Sequence, residues 1–426
     1  MTYQEFLKTR FADRLNDGQL SFFREFLSSN RNIFLTGGAG TGKSFVLSRF
    51  SEFCESEGIF LNKCASTGVA AININSQTLH SFLGVGIAEG SVEVVVAKVK
   101  KNKLARKRLE NCRLLFIDEI SMISGEFLDK FYAIIKAYCR KMPRVVMSGD
   151  FLQLPPVFKE DRFFAFESDA WEKLDPKVVN LIEIVRQCED KKYSEILQRI
   201  RVGDKSDIPF LNSLKIVEKD IPNGSTVCYS KNVEVDNFNL AKLQSLPGGS
   251  REYISDDVGS EPFLSSLQKN CLAPSSLLLK PGAQVMLLKN INSTLSNGSI
   301  GTVKKLLNNS VIVSFDNVDE ELSKESWKVE ENLIDDSGKV KTKILASRSQ
   351  IPLKLAWAIT AHKIQGLTCD KISVDISSCF APGQAYVALS RARSLNDLKI
   401  LGLNTDSIRT CNRCLSFYNS ISHFPV

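Results

Sequence analysis

Residues 37–44 read Gly37-Gly38-Ala39-Gly40-Thr41-Gly42-Lys43-Ser44. An apolar run, Asn32-Ile33-Phe34-Leu35, precedes them, and a helical stretch from Phe45 to Phe53 follows. This is the GxxxxGK[ST] pattern in the strand–loop–helix setting it requires. Its glycines let backbone N–H groups turn inward around phosphates, and a helix N-terminus adds a positive dipole. In such a loop Gly37, Gly38, Ala39, Gly40, Thr41 and Gly42 cradle the nucleotide. Lys43 holds the β- and γ-phosphates, and Ser44 ligates Mg²⁺. Further on, Leu114-Leu115-Phe116-Ile117 ends in Asp118-Glu119. Asp118 at a strand tip completes a Mg²⁺ shell, while Glu119 orients or deprotonates an attacking water. The two motifs together spell nucleoside triphosphate hydrolysis. ATP is the expected nucleotide, because the sequence lacks the Asn-Lys-x-Asp motif that reads guanine.

A third segment, Val146-Met147-Ser148-Gly149-Asp150-Phe151-Leu152-Gln153-Leu154-Pro155-Pro156, reads as a strand followed by a polar loop. Gln153 there can reach a γ-phosphate and report its presence, while Phe151, Leu152 and Leu154 are expected to pack. Arg186 and Arg391 are the candidates for charge stabilisation across domains. A rigid, permanently charged fork suits the negative charge that spreads during phosphoryl transfer. Spacing alone makes each a solvated surface residue more often than a catalytic one. Residues 98–108 carry Lys98, Lys100, Lys101, Lys103, Arg106, Lys107 and Arg108, expected on a helix, with no aromatic residue among them. A phosphate-contacting surface and an ordinary solvated face are equally open for this run.

Alternating strands and helices are expected across 31–180 to position this chemistry. Short apolar runs there each end at Gly, Thr or Asp, as parallel strands buried on both faces do. The pattern returns at Ile372-Ser373-Val374-Asp375-Ile376 and Leu398-Lys399-Ile400-Leu401, so two α/β domains are expected. Between them, 281–350 is rich in Val, Ser, Asn and Lys with turn signals at Asn297-Gly298, Asn308-Asn309 and Ser337-Gly338. That texture predicts hairpins and a small β-barrel inserted in the second domain.

The chain of 426 residues is 43% hydrophobic and 24% charged, with a net charge of +7. This suits a globular protein with more than one core and is compatible with a polyanionic partner. No apolar run approaches the roughly 18 residues that span a bilayer, so no membrane association is expected. The opening MTYQEFLKTRFADRL carries Glu5 and Asp13 and reads as neither a secretory signal nor a transit peptide. Eleven cysteines without framework spacing suggest a reducing, intracellular setting in which nucleus, mitochondrion and cytoplasm are not distinguished. Cys411 and Cys414 form one CxxC with no second pair to complete a zinc site, so they read as two thiols.

The ordered motifs resemble the PIF (petite integration frequency) family of DNA helicases, relatives of RecD in superfamily one. The likeness runs from about Asn16 to Ser394. It rests on Ala65-Ser66-Thr67-Gly68-Val69-Ala70-Ala71, Thr78-Leu79-His80-Ser81-Phe82, IDEISM (117–122) and GDFLQLPPV (149–157). GAQVMLLKN (282–290), NGSIGTV (297–303), LAWAITAHKIQG (355–366) and YVALSRARS (386–394) complete it. The resemblance implies an α/β fold of two RecA-like P-loop domains, with a small SH3-like β-barrel insertion in the second. The first would span 1–180 with a small wedge near 83–97, the second 181–290 and 351–426, and the barrel 291–350. It makes Gln19 the adenine-reading glutamine, Arg186 and Arg391 arginine fingers, and Gln153 the γ-phosphate sensor. Gln365 and Gly366 become the nucleotide-coupling loop. It places Thr67, His80, Thr360, His362 and Lys363 along the DNA path. Ile364 departs from the family's usual HKSQG, which leaves a hydroxyl contact there in doubt.

The resemblance further implies an ATP- and Mg²⁺-dependent helicase moving 5′ to 3′ on single-stranded DNA and unwinding forked or tailed duplex. Such an enzyme serves replication, repair, recombination or telomere maintenance, as a monomer or a dimer on DNA. Three rivals stand beside it. One is a DEAD-box RNA helicase, disfavoured by Ile120-Ser121 after Asp118-Glu119. Another is the helicase module of a conjugative relaxase. The last is an ATP-gated single-stranded DNA scaffold without turnover, against which the joint presence of Lys43, Asp118, Glu119, Arg186 and Arg391 argues.

Overall fold

A computed structural model describes the chain except residues 75, 87, 157–162, 223, 262, 272, 290, 292–294, 296–298, 316–317, 335–339, 365–370 and 422–426. It divides into two compact units, Met1–Lys215 with Ile376–Val426, and Ile216–Asp375.

The first unit is built on a six-stranded sheet. Its strands are β1 (Ile33–Gly37), β2 (Leu61–Ala65), β3 (Gln77–Thr78), β4 (Leu114–Asp118), β5 (Arg144–Gly149) and β6 (Lys177–Leu181), in the order β3-β2-β4-β5-β1-β6. Every pairing is parallel. β1 is buried along its whole length and β4 except at its tip, which is why both read as unbroken apolar runs. The order leaves the carboxyl ends of β1, β4 and β5 side by side, and their loops open on one edge of the sheet.

One face of that sheet rests on a cluster of phenylalanines. The helix Asp17–Ser28 contributes Phe22, Phe23 and Phe26, and the helix Lys43–Ser56 contributes Phe50 and Phe53. Phe50 meets Phe26 edge-on at 4.7 Å and Phe22 at 5.2 Å between ring centroids. Rings stacked and tilted this way add attraction beyond the area they bury. The cluster fixes the helix that starts at Lys43. On the other face Phe34, Phe151, Trp171 and Phe417 form a second aromatic group.

The second unit holds a parallel group in which β7 (Thr226–Tyr229) lies between β18 (Ala358–Thr360) and β19 (Ile372–Asp375). Its remaining strands are β8 (Arg251–Ile254), β9 (Asp256–Gly259), β10 (Ser276–Leu279), β11 (Gln284–Leu287), β12 (Ile300–Leu306), β13 (Ser310–Phe315), β14 (Val318–Ser323), β15 (Glu325–Ile334), β16 (Val340–Gln350) and β17 (Leu353–Leu355). A five-stranded antiparallel sheet runs β14-β13-β12-β11-β17, and a smaller one β15-β16-β9. Val285, Val303, Val313, Phe315 and Leu353 pack inside the unit. The described residues of 281–350 therefore lie in or between antiparallel strands. β11 and β17, outside the expected insertion at 291–350, pair with strands of the same sheet.

Residues 376–426 cluster with the first 215, and Tyr386, Arg391 and Tyr418 are buried. The stretch near 83–97 is a turn leading into the helix Val92–Lys101, whose Val95 and Val99 enter the first unit's core. The basic run at 98–108 spans two helices, Val92–Lys101 and Lys103–Glu110, broken at Asn102, whose carboxamide caps the second. Part of its charge is committed locally, since Arg108 donates to the Ser81 carbonyl and lies over the Phe82 ring. Among the described residues no helix is long and apolar enough to cross a membrane.

Phe50→Ala empties the centre of the phenylalanine cluster and should lower stability by about 3–5 kcal/mol. A shift of the first unit's urea midpoint at unchanged slope would register that loss. A midpoint unmoved by the substitution would show that the cluster does not hold the Lys43 helix.

Candidate functional site

The loop after β1 is shaped by backbone conformations that only glycine takes easily. Gly37 has φ 151° and Gly40 φ 81°. A Cβ on Gly40 would lie 2.7 Å from Gln187 Oε1 and 2.8 Å from Arg186 Cβ. The amides of Val185 and Arg186 donate to the Gly40 carbonyl at 2.8 and 3.0 Å. The glycine is thus what lets segment 184–187 lie against the loop. The helix Lys43–Ser56 begins at Gly42, and no side chain caps it. The amides of its first turn are directed at the loop's concave side with a helix dipole behind them. Lys43 Nζ donates to the carbonyls of Gly37 at 2.7 Å and Gly38 at 3.0 Å, and Ser44 is exposed.

β4 delivers the acids. Glu119, the residue after its tip, has φ 53°. For a side chain with a Cβ this left-handed conformation costs roughly 1–2 kcal/mol, and the tertiary structure holds it there. The Glu119 amide donates to Asp118 Oδ1 at 3.0 Å. Burial raises Asp118 above its ordinary range, opposed by the Glu119 amide and by the charge of Lys43. Burial also raises Glu119, to about 7, with the repulsion of Asp118 adding to it and Lys43 and Arg391 opposing. Glu119 is thereby partly protonated near neutrality. Lys43 itself is lowered by desolvation, against the pull of Asp150, Glu119 and Asp118.

A third acid lies deeper. Asp150, at the end of β5, is fully buried and accepts from Arg201 Nε at 3.0 Å and from a terminal Arg201 nitrogen at 2.8 Å. The Leu152 amide donates to it at 3.1 Å and the Tyr418 hydroxyl at 3.2 Å. Burial alone would raise Asp150, but the Arg201 pair and Lys43 outweigh it and hold the carboxyl below its ordinary range. Tyr418 Oη also lies 2.6 Å from Thr36 Oγ1, on β1, and accepts from the Phe151 amide at 3.1 Å. Tyr386 Oη accepts from the Ala39 amide at 2.7 Å. Arg201, Tyr386, Gly38 and Thr41 help line a cavity of about 260 Å³ beside the loop.

The expected residues fall as follows. Gln19 is 2% exposed and does two jobs with one amide. Its Oε1 accepts from the Asn16 amide at 3.2 Å, closing a capping box at the helix start, and its Nε2 donates to the Thr41 carbonyl at 3.2 Å. Gln153 is buried, with its amide 3.4 Å from Asp150 Oδ2. Arg186 donates to the Ser390 carbonyl at 3.1 Å, and Arg391 is only 2% exposed, its Nε donating to the Val387 carbonyl at 2.8 Å. Neither is the solvated surface residue that spacing alone favoured. Lys43, Asp118, Glu119, Gln153, Arg186 and Arg391 belong to one unit, and the charges of Lys43 and Arg391 both act on Glu119.

The expected DNA-path residues are more varied. Thr67 is half-buried and its hydroxyl accepts from the Ala70 amide. His80 stacks on Phe127 with centroids 3.9 Å apart, and burial lowers its pKa. Thr360 is buried on β18, at 4% exposure. His362 and Lys363 lie in the helix Ala361–Ile364, their side chains outside the description, and Ile364 is fully buried. Buried Ile364 explains why that position does without a hydroxyl. Gln365 and Gly366 lie outside the described residues.

Sequence reasoning assigned no role to Asp150, Arg201, Tyr386 or Tyr418. Asp150 carried the same signal as Asp118, an acid at the end of an apolar strand. Arg201 and Tyr418 carried none, because their partners are 51 and 268 residues away.

A triphosphate with Mg²⁺ fits this set. The uncapped helix start and Lys43 suit its phosphates, and Ser44 with Asp118 offers two oxygens to Mg²⁺. Among the described residues no cluster of three His, Cys, Asp or Glu could hold a metal unaided. Mg²⁺ here would therefore lean on phosphate oxygens and water.

The raised Glu119 makes stability pH-dependent. The folded chain keeps a proton that the unfolded chain releases above the ordinary value of 4.5, so the contribution is full below that and lost as pH rises through about 7. Glu119→Gln removes it. Without nucleotide, the parent should lose stability relative to Glu119→Gln between pH 5 and 8, by the order of a few kcal/mol. Urea midpoints at several pH values measure this, and parallel curves would refute the raised carboxylate.

Comparison with known proteins agrees with this geometry. The family model described as PIF1-like helicase matches residues 14–208, and that of the DNA helicase Pif1 2B domain matches 262–306. The ATP-dependent DNA helicase PIF1 of Xenopus laevis is 37% identical over 411 residues, covering 92% of this chain and 62% of that protein. The chain thus spans about three fifths of this relative's length. The crystal structure of Pif1 helicase from Candida albicans superposes with a TM-score of 0.83 at 36% identity, covering 96% of this chain and 99% of that one. Pif1 helicase from Bacteroides in complex with ADP-AlF3 and ssDNA gives 0.69 at 28% identity, covering 95% and 96%. With its phosphate loop, paired acids and parallel sheet cores matched along nearly its whole length, the chain belongs to the PIF1-like helicase family.

Proposed function

We propose that the chain is a DNA-stimulated ATPase that moves 5′ to 3′ along single-stranded DNA and unwinds forked or tailed duplex. The observation that carries the reading is that the charges of Asp118, Lys43 and Arg391 all act on the Glu119 carboxyl, which is raised to about 7. A carboxylate poised near neutrality is suited to take a proton from water. The relative from Bacteroides was solved with both a nucleotide analogue and single-stranded DNA, which supports the same pair of ligands here.

Each residue has a distinct task in this reading. MgATP, when bound, supplies the γ-phosphoryl bond whose hydrolysis releases the energy for movement. Lys43 and the amides at the start of its helix bind the phosphates, and Ser44 and Asp118 hold the metal. Glu119 orients the water and takes its proton. Arg186 and Arg391, anchored through the carbonyls of Ser390 and Val387, place permanent positive charge where negative charge develops. Gln19 reads the adenine and Gln153 senses the γ-phosphate, with Gln365 and Gly366 coupling it to the DNA path. Thr67, His80, Thr360, His362 and Lys363 are assigned to that path, with Thr360 acting through the backbone of its strand.

Residues 291–350 are assigned to an SH3-like insertion and 83–97 to a wedge. The protein works in replication, repair, recombination or telomere maintenance, in a reducing intracellular compartment, as a monomer or as a dimer on DNA. DNA affinity should fall as salt rises, since phosphate contacts release counterions.

Matched duplexes with a 5′ tail, a 3′ tail or no tail test the reading directly. The 5′-tailed duplex should be unwound with ATP and the other two left intact. Unwinding of the 3′-tailed duplex at an equal or greater rate would overturn the direction. Lys43→Ala should abolish both hydrolysis and unwinding, and activity within a few-fold of the parent would move the catalytic site elsewhere.

A further inference from the structure

The CxxC formed by Cys411 and Cys414 has no part in the nucleotide chemistry, yet its setting is specific. Cys411 stands immediately before the first turn of the helix Asn412–Asn419 and is half-buried. Cys414, one turn on, is fully buried in the first unit's core. A residue at the helix start and one three positions on are neighbours on the helix surface. Its polar neighbours, the Cys414 thiol foremost, outweigh burial and bring Cys411 down to about 6, with the Arg413 charge assisting. Its partner moves the other way, since Cys411 and burial push the Cys414 thiol far up. The charged groups around the pair are Arg413, bonded to Glu167 at 3.2 Å, and the acids Glu167 and Asp150, which act on Cys414. An accessible thiolate above a buried thiol is the division of labour that thiol–disulfide exchange requires.

The same helix ends at the nucleotide site. Cys414 and Tyr418 are four residues apart on one buried face, and the Tyr418 hydroxyl joins Thr36, Asp150 and the Phe151 amide.

We propose that Cys411 and Cys414 form a thiol–disulfide exchange site whose oxidation loosens the hold of Tyr418 on the Asp150 segment. A small-molecule disulfide of the glutathione class is the oxidant. The Cys411 thiolate attacks one of its sulfurs, the S–S bond breaks, and one glutathione thiolate leaves. The Cys414 thiol then gives its proton to that thiolate and attacks the Cys411 sulfur. The intramolecular bond forms and the second glutathione thiolate departs, taking from water the proton that Cys411 had released on ionising. Two protein thiols are oxidised and one disulfide is reduced to two thiols. The functional consequence rests on the ATPase reading above, because the segment that loosens carries Asp150 and Gln153.

The full chain, equilibrated in glutathione buffers of graded ratio, is alkylated and mapped by peptide mass. In the same samples hydrogen exchange is followed across residues 148–154 and DNA-stimulated ATPase is measured. A Cys411–Cys414 disulfide should form, exchange at the Phe151 amide should quicken roughly fivefold, the factor that one net hydrogen bond is worth, and ATPase should fall by a similar factor. A dithiol should reverse all three. Cys411→Ser should abolish every response, and Cys414→Ala should trap glutathione on Cys411. Absence of the disulfide, or a disulfide that leaves exchange and turnover unchanged, would overturn the proposal. So would a response that persists in Cys411→Ser. A reduced chain without ATPase would instead strike the functional reading, leaving mapping and exchange to decide this one.

Discussion

Everything around the phosphate loop depends on one buried ion pair. Asp150 has no access to water, and a carboxylate in that position is tolerable only while Arg201 meets it with two hydrogen bonds. The pair is a structural clasp as much as a charge balance. Asp150 terminates β5, Arg201 ends the helix Lys191–Arg201, and Tyr418 adds a third bond from the C-terminal helix. The Tyr418 hydroxyl reaches on to Thr36, the residue before Gly37. Strand, helix and tail are thereby tied to the base of the loop that must hold phosphates. Arg201 thus holds Asp150 below its ordinary range, while Glu119, buried beside Asp118, is raised to about 7.

That division explains the local strain and the titration together. Glu119 is held in a left-handed conformation beside Asp118, and burial with mutual repulsion brings it to about 7. A strained, half-protonated carboxylate would be a liability in a loosely packed site. Here β4 is flanked by β2 and β5, and the helix carrying Lys43 is seated on interlocking phenylalanines. Rigidity of the scaffold is what lets the acids sit where they are unfavourable on their own.

The sequence made the chemistry legible wherever it was contiguous. Lys43, Ser44, Asp118 and Glu119 lie within short motifs, and the parallel strands carrying them are continuous apolar runs, so both could be read directly. Residues whose role comes from packing could not. Arg201 looks like any basic residue at a helix end, and Tyr418 like any aromatic in an amphipathic helix. Arg186 and Arg391 needed the motif context to rise above surface arginines, and their anchoring through backbone carbonyls left no trace in spacing.

The clasp is tested most directly by a double-mutant cycle with Asp150→Asn, Arg201→Met and both together, read in urea stability and in ATP turnover. Each single change strands a buried group and should cost about 3–5 kcal/mol. The double variant should lose less than the sum by about 2 kcal/mol or more, and the Arg201→Met variant should lose turnover although it keeps Lys43, Asp118 and Glu119. Losses that add to within about 0.5 kcal/mol would mean that the two residues do not act as a pair. Turnover unaffected by either change would contradict the claim that this pair sets the nucleotide site.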